Sequence, residues 1–189
     1  FSRVTEPLRK FGANFKSHSG KLPILINGTN FARPIKYHEK KGSAQCKSSV
    51  MLAALNTKGT TIIKAKKSRN HTELLLKFLG LPITVSKNKK YDLIKVKGLK
   101  KIKSFNYSIP SDISSGSFFL VLTALSKKSE LTIKNMNINP SRVGILKIFK
   151  LMGIKIKIKN SKIYNGEKIG DVSIESCKNI KAINCPKTL

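Results

Sequence analysis

The 189-residue sequence contains no tryptophan, nine acidic residues and three cysteines. So few carboxylates leave little material for paired-carboxylate catalysis. Cys46, Cys177 and Cys185 form no CxxC pair and leave an odd thiol over. That argues against a disulfide framework and against a zinc site, and it points to a reducing, cytoplasmic setting. There is no GxSxG or cysteine–histidine signature. The longest apolar run, FFLVLTAL at 118–125, is far too short to span a bilayer, and no signal peptide is visible. No methionine precedes Phe1, which opens on a helix-like stretch, SRVTEPLRKFG. A missing N-terminal segment is therefore expected.

Against the nine acids stand 38 basic residues, for a formal charge of +29. Only five of them are arginine, and the lysines run evenly along the chain beside isoleucine and asparagine, all A/T-rich-codon residues. Nucleic-acid readers favour arginine forks and interleaved aromatics. The charge is read as composition, so a nucleic-acid partner is not expected. A lysine-rich nucleic-acid-binding module is the rival from another class, and salt-dependent DNA retention would mark it. A positive field would still steer anionic metabolites. At 40% hydrophobic residues the chain can bury a core, in one domain or two small ones.

Self-comparison is more informative than composition. SAQCKSSVMLAALNTKGTTIIKA, from Ser43, matches SDISSGSFFLVLTALSKKSELTIKN, from Ser111. Each has a small polar start, an apolar helix ending in Ala-Leu, a turn and a β-rich run. SRNHTELLLKFLGLPITV and SRVGILKIFKLMGIKIKI match next, with Ser68-Arg69 and Ser141-Arg142 at the same distance before Gly80 and Gly153. Those glycines are expected at left-handed helix stops. The unit is helix, strand, helix, strand, with trailing strands predicted at YDLIKVKG (from Tyr91), IKSFNYSI (from Ile102) and DVSIES (from Asp171). The class is α/β. A domain boundary is placed at SIPSDISS, near Pro110, with Asp112 or Ser111 capping the next helix.

Three stretches carry candidate chemistry. Gly42 and Ser43 begin a helix whose first turn is small, and its open N–H groups and dipole suit an anion. The Ser43 hydroxyl, the Gln45 amide and Lys47 are candidates to complete that site. Arg69 is predicted in the first turn of the next helix, against the dipole preference for acids, as a second phosphate contact beside Ser68. His71 and Glu73 could act as acid or base, although a first-turn glutamate more often serves the dipole. The small helix start is equally readable as a capped helix that packs closely.

Taken in order, SAQCKSSVMLAALNTKGTT, SRNHTELLLKFLG, SDISSGSFFLVLTAL and NPSRVGILKIFKLMG resemble successive blocks of the 5-enolpyruvylshikimate-3-phosphate (EPSP) synthase family, the 3-phosphoshikimate 1-carboxyvinyltransferases. The Ser-Ala-Gln form with His-Thr-Glu is similar to the branch that includes glyphosate-tolerant bacterial enzymes. The resemblance implies a two-domain enolpyruvyl transferase fold, an inside-out α/β barrel of repeated βαβαββ units, here incomplete. Residues 1–109 would be the later part of the first domain and 110–189 the early part of the second. It implies transfer of the enolpyruvyl group of phosphoenolpyruvate to the 5-hydroxyl of shikimate 3-phosphate, releasing phosphate, in the shikimate pathway of aromatic amino acid biosynthesis. It further implies no metal or redox cofactor, no membrane, and a monomer at full length.

Position by position, the resemblance assigns Ser43, Ala44, Gln45 and Arg69 to shikimate 3-phosphate, with Gln45 also near phosphoenolpyruvate. Asn70 departs from the usual aspartate. The family's Lys-Ser motif, Asn-Ser-Gly-Thr loop, Asp-Glu-Tyr-Pro aspartate, KESDR block and late His-Arg pair have no counterpart. The chain is thus expected to be the middle of the enzyme, without catalytic residues, inactive and poorly folded alone. UDP-N-acetylglucosamine enolpyruvyl transferase shares the fold but uses a loop cysteine, a context that Cys46 lacks.

Overall fold

The computed structural model describes residues 1–98 and 100–185. The chain divides into two compact units, Phe1–Ser104 and Phe105–Leu189.

The first unit opens with α1 (Ser2–Lys10) and an antiparallel pair, β1 (Asn14–Ser17) and β2 (Ile24–Asn27). Then follow β3 (Lys36–Glu39), α2 (Ala44–Leu55), β4 (Thr60–Lys66), α3 (His71–Phe78), β5 (Ile83–Lys87) and β6 (Tyr91–Lys97). The sheet order is β3-β4-β6-β5, with β3 parallel to β4 and the other pairs antiparallel. In β4, Thr61, Ile63 and Ala65 are buried while Thr60, Lys64 and Lys66 are exposed, the alternation of a sheet packed on one face. Ile63 pairs in register with Ile94, and both join Val50, Met51, Ala54 and Leu55 of α2 and Leu76 of α3 in one core. The α2 stripe at 50, 51 and 54 follows helical periodicity.

The second unit contains α4 (Ile113–Leu125), β7 (Glu130–Asn137), α5 (Gly144–Leu151), β8 (Ile156–Tyr164) and β9 (Glu167–Glu175). Its sheet runs β7-β9-β8, entirely antiparallel. This is the β4-β6-β5 arrangement again, so the internal repeat holds at the level of strand order. Ser111 bridges to Met136 in parallel, a one-residue counterpart of β3 beside β4. Gly80 and Gly153 both have positive φ, +64° and +81°. Behind each, the N–H groups of the glycine and the next residue return to the helix, at Lys77 and Leu76 and at Lys150 and Phe149. The two helices therefore stop identically. Unlike α2, α4 leaves Phe118, Phe119, Leu122 and Leu125 at least 60% exposed.

One predicted strand is absent. Residues 102–109 form no strand, and Ile102, Phe105 and Ile109 are exposed. The strand before this segment, β6, is already paired on both sides by β4 and β5, so the segment cannot turn back to pair beside it.

Candidate functional site

The loop into α2 is built by a buried carboxylate. Glu39, at the end of β3 and 3% exposed, accepts hydrogen bonds from the N–H groups of Lys41 (2.9 Å) and Gly42 (2.7 Å). Gly42 takes a left-handed φ of +73°, and the turn delivers Ser43 as N-cap of α2. The Ser43 hydroxyl accepts from the Cys46 N–H at 3.3 Å. Within the first turn, the N–H groups of Ala44 and Gln45 have no acceptor inside the helix.

Arg69 is placed two residues before α3, with Asn70 as N-cap. The expectation of Arg69 within the first helical turn is thus corrected. Its carbonyl accepts a 2.9 Å hydrogen bond from Lys47 Nζ on α2 instead of entering the α3 hydrogen-bond ladder. The same bond corrects Lys47 as a candidate anion contact. Lys47 is 1% exposed and its ammonium lies 2.5 Å from Glu73 Oε1, whose side chain is 4% exposed. Glu73 is spent on that ion pair, beyond any service to the helix dipole. Next to it, the hydroxyls of Ser48 and Thr72 are 2.6 Å apart and tie the two helices together again.

Ala44, Gln45, Ser48, Arg69, His71 and Thr72 line one cavity of about 220 Å³. Three of the four assigned residues are therefore brought together, while Ser43 caps the helix beside them. None of these lining groups is a carboxylate, and no ion pair engages the Arg69 guanidinium among the described residues. A half-buried guanidinium, two hydroxyls, an amide, an imidazole and a helix start together suit a phosphoester. Ser68 Oγ, beside Arg69, is buried and has no hydrogen-bond partner among the described residues. Cys46 is 4% exposed within α2, a core-facing thiol and no loop nucleophile.

Sequence reasoning missed the supporting residues Glu39, Ser48 and Thr72 and the pairing of Lys47 with Glu73. A signal existed for Lys47: it shares the i, i+3, i+4, i+7 stripe of Val50, Met51 and Ala54, where an unpaired cation is untenable.

The equivalent place in the second unit is filled differently. Asp112 caps α4, accepting from the Ser115 N–H at 3.0 Å, and Arg142, the counterpart of Arg69, bonds Asp112 Oδ1 at 3.2 Å and the Ser114 hydroxyl. Burial raises the Asp112 pKa, but bonds from the Ser115 and Ser114 backbone, the Ser115 hydroxyl and Arg142 outweigh it and hold the carboxyl below its usual range. Since the fold lowers this pKa, the stabilisation is complete above about pH 4 and is lost as pH falls through the depressed value. Asp112→Ala is expected to cost about 1 kcal/mol at pH 7, mostly the lost cap, because the half-exposed pair with Arg142 is screened. Paired thermal melts should show the difference between variant and parent shrinking below pH 4.

A model of the EPSP synthase (3-phosphoshikimate 1-carboxyvinyltransferase) family matches residues 1–187. The 3-phosphoshikimate 1-carboxyvinyltransferase of Ruthia magnifica is 41% identical over 188 residues, covering 99% of this chain and 42% of that protein. That of Petrotoga mobilis is 42% identical over 178 residues, covering 92% of this chain and 40% of that protein. EPSP synthase from Acinetobacter baumannii superposes with a TM-score of 0.81 at 33% identity, over 98% of this chain and 41% of that one. The enolpyruvyl transferase NikO from Streptomyces tendae shares the fold, with a TM-score of 0.65 at 12% identity over 94% of this chain and 42% of that one. The chain spans about two-fifths of the length of the curated relatives it matches. A family match over nearly every residue, on top of the α/β repeat and its cavity, settles membership: this chain belongs to the EPSP synthase family.

Proposed function

We propose that this chain supplies the shikimate 3-phosphate-binding part of a 3-phosphoshikimate 1-carboxyvinyltransferase, which transfers the enolpyruvyl group of phosphoenolpyruvate to the 5-hydroxyl of that substrate and releases phosphate. The observation that carries this reading is the convergence of Ala44, Gln45 and Arg69 on one cavity at the start of α2. In this reading the Ser43–Gln45 turn and the Arg69 guanidinium hold the sugar-acid phosphoester, and Gln45 also faces phosphoenolpyruvate. The α2 dipole and a charge-assisted hydrogen bond supply the attraction.

Arg69→Ala is expected to weaken shikimate 3-phosphate binding by roughly 1.5–3 kcal/mol, the worth of a hydrogen bond to a charged group. Titration calorimetry on a full-length synthase containing this segment measures it, and an unchanged dissociation constant overturns the assignment. The reading carries with it a cytoplasmic, monomeric enzyme that needs no metal or redox cofactor and binds no nucleic acid. Ser43-Ala44-Gln45 with His71-Thr72-Glu73 supports placement in the glyphosate-tolerant branch. Inhibition by glyphosate in the low range of sensitive enzymes, measured on a synthase containing this segment, would remove it from that branch.

A further inference from the structure

We propose that the buried Lys47–Glu73 ion pair is a positioning device that clamps the backbone of Arg69, so that its guanidinium and the first amides of α2 face one phosphoester together. The inference rests on the shikimate 3-phosphate reading above and adds two residues to it that never touch the ligand. Among the described residues Lys47 Nζ makes two polar contacts, Glu73 Oε1 at 2.5 Å and the Arg69 carbonyl at 2.9 Å. Glu73 Oε2 has no hydrogen-bond donor among the described residues. The carboxylate therefore serves the ammonium and no backbone amide, and the ammonium serves Arg69.

Stability does not explain the pair. Buried ion pairs are commonly replaced by apolar residues at no cost, because desolvation cancels most of the attraction. The molecule itself contains that replacement. Counted from the N-caps Ser43 and Asp112, Lys47 corresponds to Gly116. Counted from Arg69 and Arg142, Glu73 corresponds to Leu146. Gly116 and Leu146 are both buried, and a Cβ at Gly116 would come within 2.6 Å of the Met136 side chain. The same helix–strand–helix arrangement thus forms without any charge at this place.

What differs between the copies is the fate of the arginine. Arg142 is held by its own side-chain bonds to Asp112 and Ser114. Among the described residues Arg69 has no such carboxylate, and it is its carbonyl that is held, from the neighbouring helix. Fixing the arginine by its backbone leaves the guanidinium available to a ligand, and a preorganised donor loses less freedom on binding.

The test uses Lys47→Met/Glu73→Leu, which removes both charges and keeps the volume apolar, alongside Arg69→Ala and the combined triple variant. Dissociation constants for shikimate 3-phosphate and for shikimate are measured by titration calorimetry on a full-length synthase containing this segment, with melts to confirm folding. The double variant is expected to stay folded and to lose at least ten-fold in affinity for shikimate 3-phosphate, with shikimate changed less than two-fold. Its effect should vanish in the Arg69→Ala background, the signature of two sites acting as one. A folded double variant that binds like the parent, while Arg69→Ala binds weakly, overturns the clamp and spares the site. Parent-like binding by Arg69→Ala overturns the site reading and the clamp with it. An equal loss for shikimate and its phosphate also overturns the clamp, because it marks general loosening of the cavity. Should the double variant unfold, Lys47→Arg decides: retained donation to the Arg69 carbonyl predicts affinity within three-fold of the parent, and a ten-fold loss overturns the clamp.

Discussion

Lys47→Met alone is expected to remove roughly 3–5 kcal/mol from the stability of the first unit, because it strands Glu73 as an uncompensated buried charge. The glutamate side chain is 4% exposed, and among the described residues the Lys47 ammonium 2.5 Å away is the cation that pairs with it. Methionine matches the length of the lysine stem and supplies no donor, so packing is nearly preserved while the charge balance is not. Denaturant unfolding followed by circular dichroism measures the loss. In a unit of this size the thermal midpoint should fall by more than about 10 °C. A loss under about 1 kcal/mol would mean that Glu73 reaches water in the variant. Adding Glu73→Leu should return most of the stability, which separates the cost of a stranded charge from the cost of a lost pair.

Gly98→Ala is expected to be comparably damaging through sterics alone. The chain leaving β6 crosses the C-terminal end of α2 so closely that a Cβ at position 98 would lie 1.9 Å from the Thr57 carbonyl oxygen and 2.3 Å from that of Ala54. Both obstacles are backbone, and both are anchored. Thr57 is 2% exposed, its hydroxyl donates to the Ala53 carbonyl at 2.9 Å, and its N–H donates to Ala54. Gly98 itself donates to Gly59 at 3.0 Å. Relief requires moving a strand end or unwinding a helix end, so the cost should reach the top of the overpacking range, about 3 kcal/mol. Gly28→Ala is the control, since nothing lies within 4 Å of its added Cβ. It should stay within about 0.5 kcal/mol in the same urea titration. Equal effects at both positions would refute the steric account.

The elements most legible in the sequence are those whose burial pattern repeats. The α2 stripe, the alternation of β4 and the two glycine stops follow from local period and left-handed backbone, which a sequence displays directly. The four-residue strands β1, β2 and β3 do not, because they are short and mostly exposed, and their residues alternate weakly. Residues 102–109 misled for the opposite reason. Ile102, Phe105, Tyr107 and Ile109 look like strand residues, yet pairing is a property of the sheet and not of the segment. The candidate site divides the same way. Ser43, Gln45 and Arg69 were legible as polar groups near helix starts, and Ala44 entered only through the family resemblance. The buried Glu73 acts across elements that no spacing rule connects, while Glu39 shapes a turn through the N–H groups two and three residues on.

The bond between Arg142 and Asp112 gives the second helix start its own counter-ion, carried in the chain. A dissolved phosphoester therefore meets two arginines of one design, of which one is already neutralised and the other is not. Any anion response at Arg69 can accordingly be read against Arg142 in the same tube, at the same pH and salt, as an internal blank.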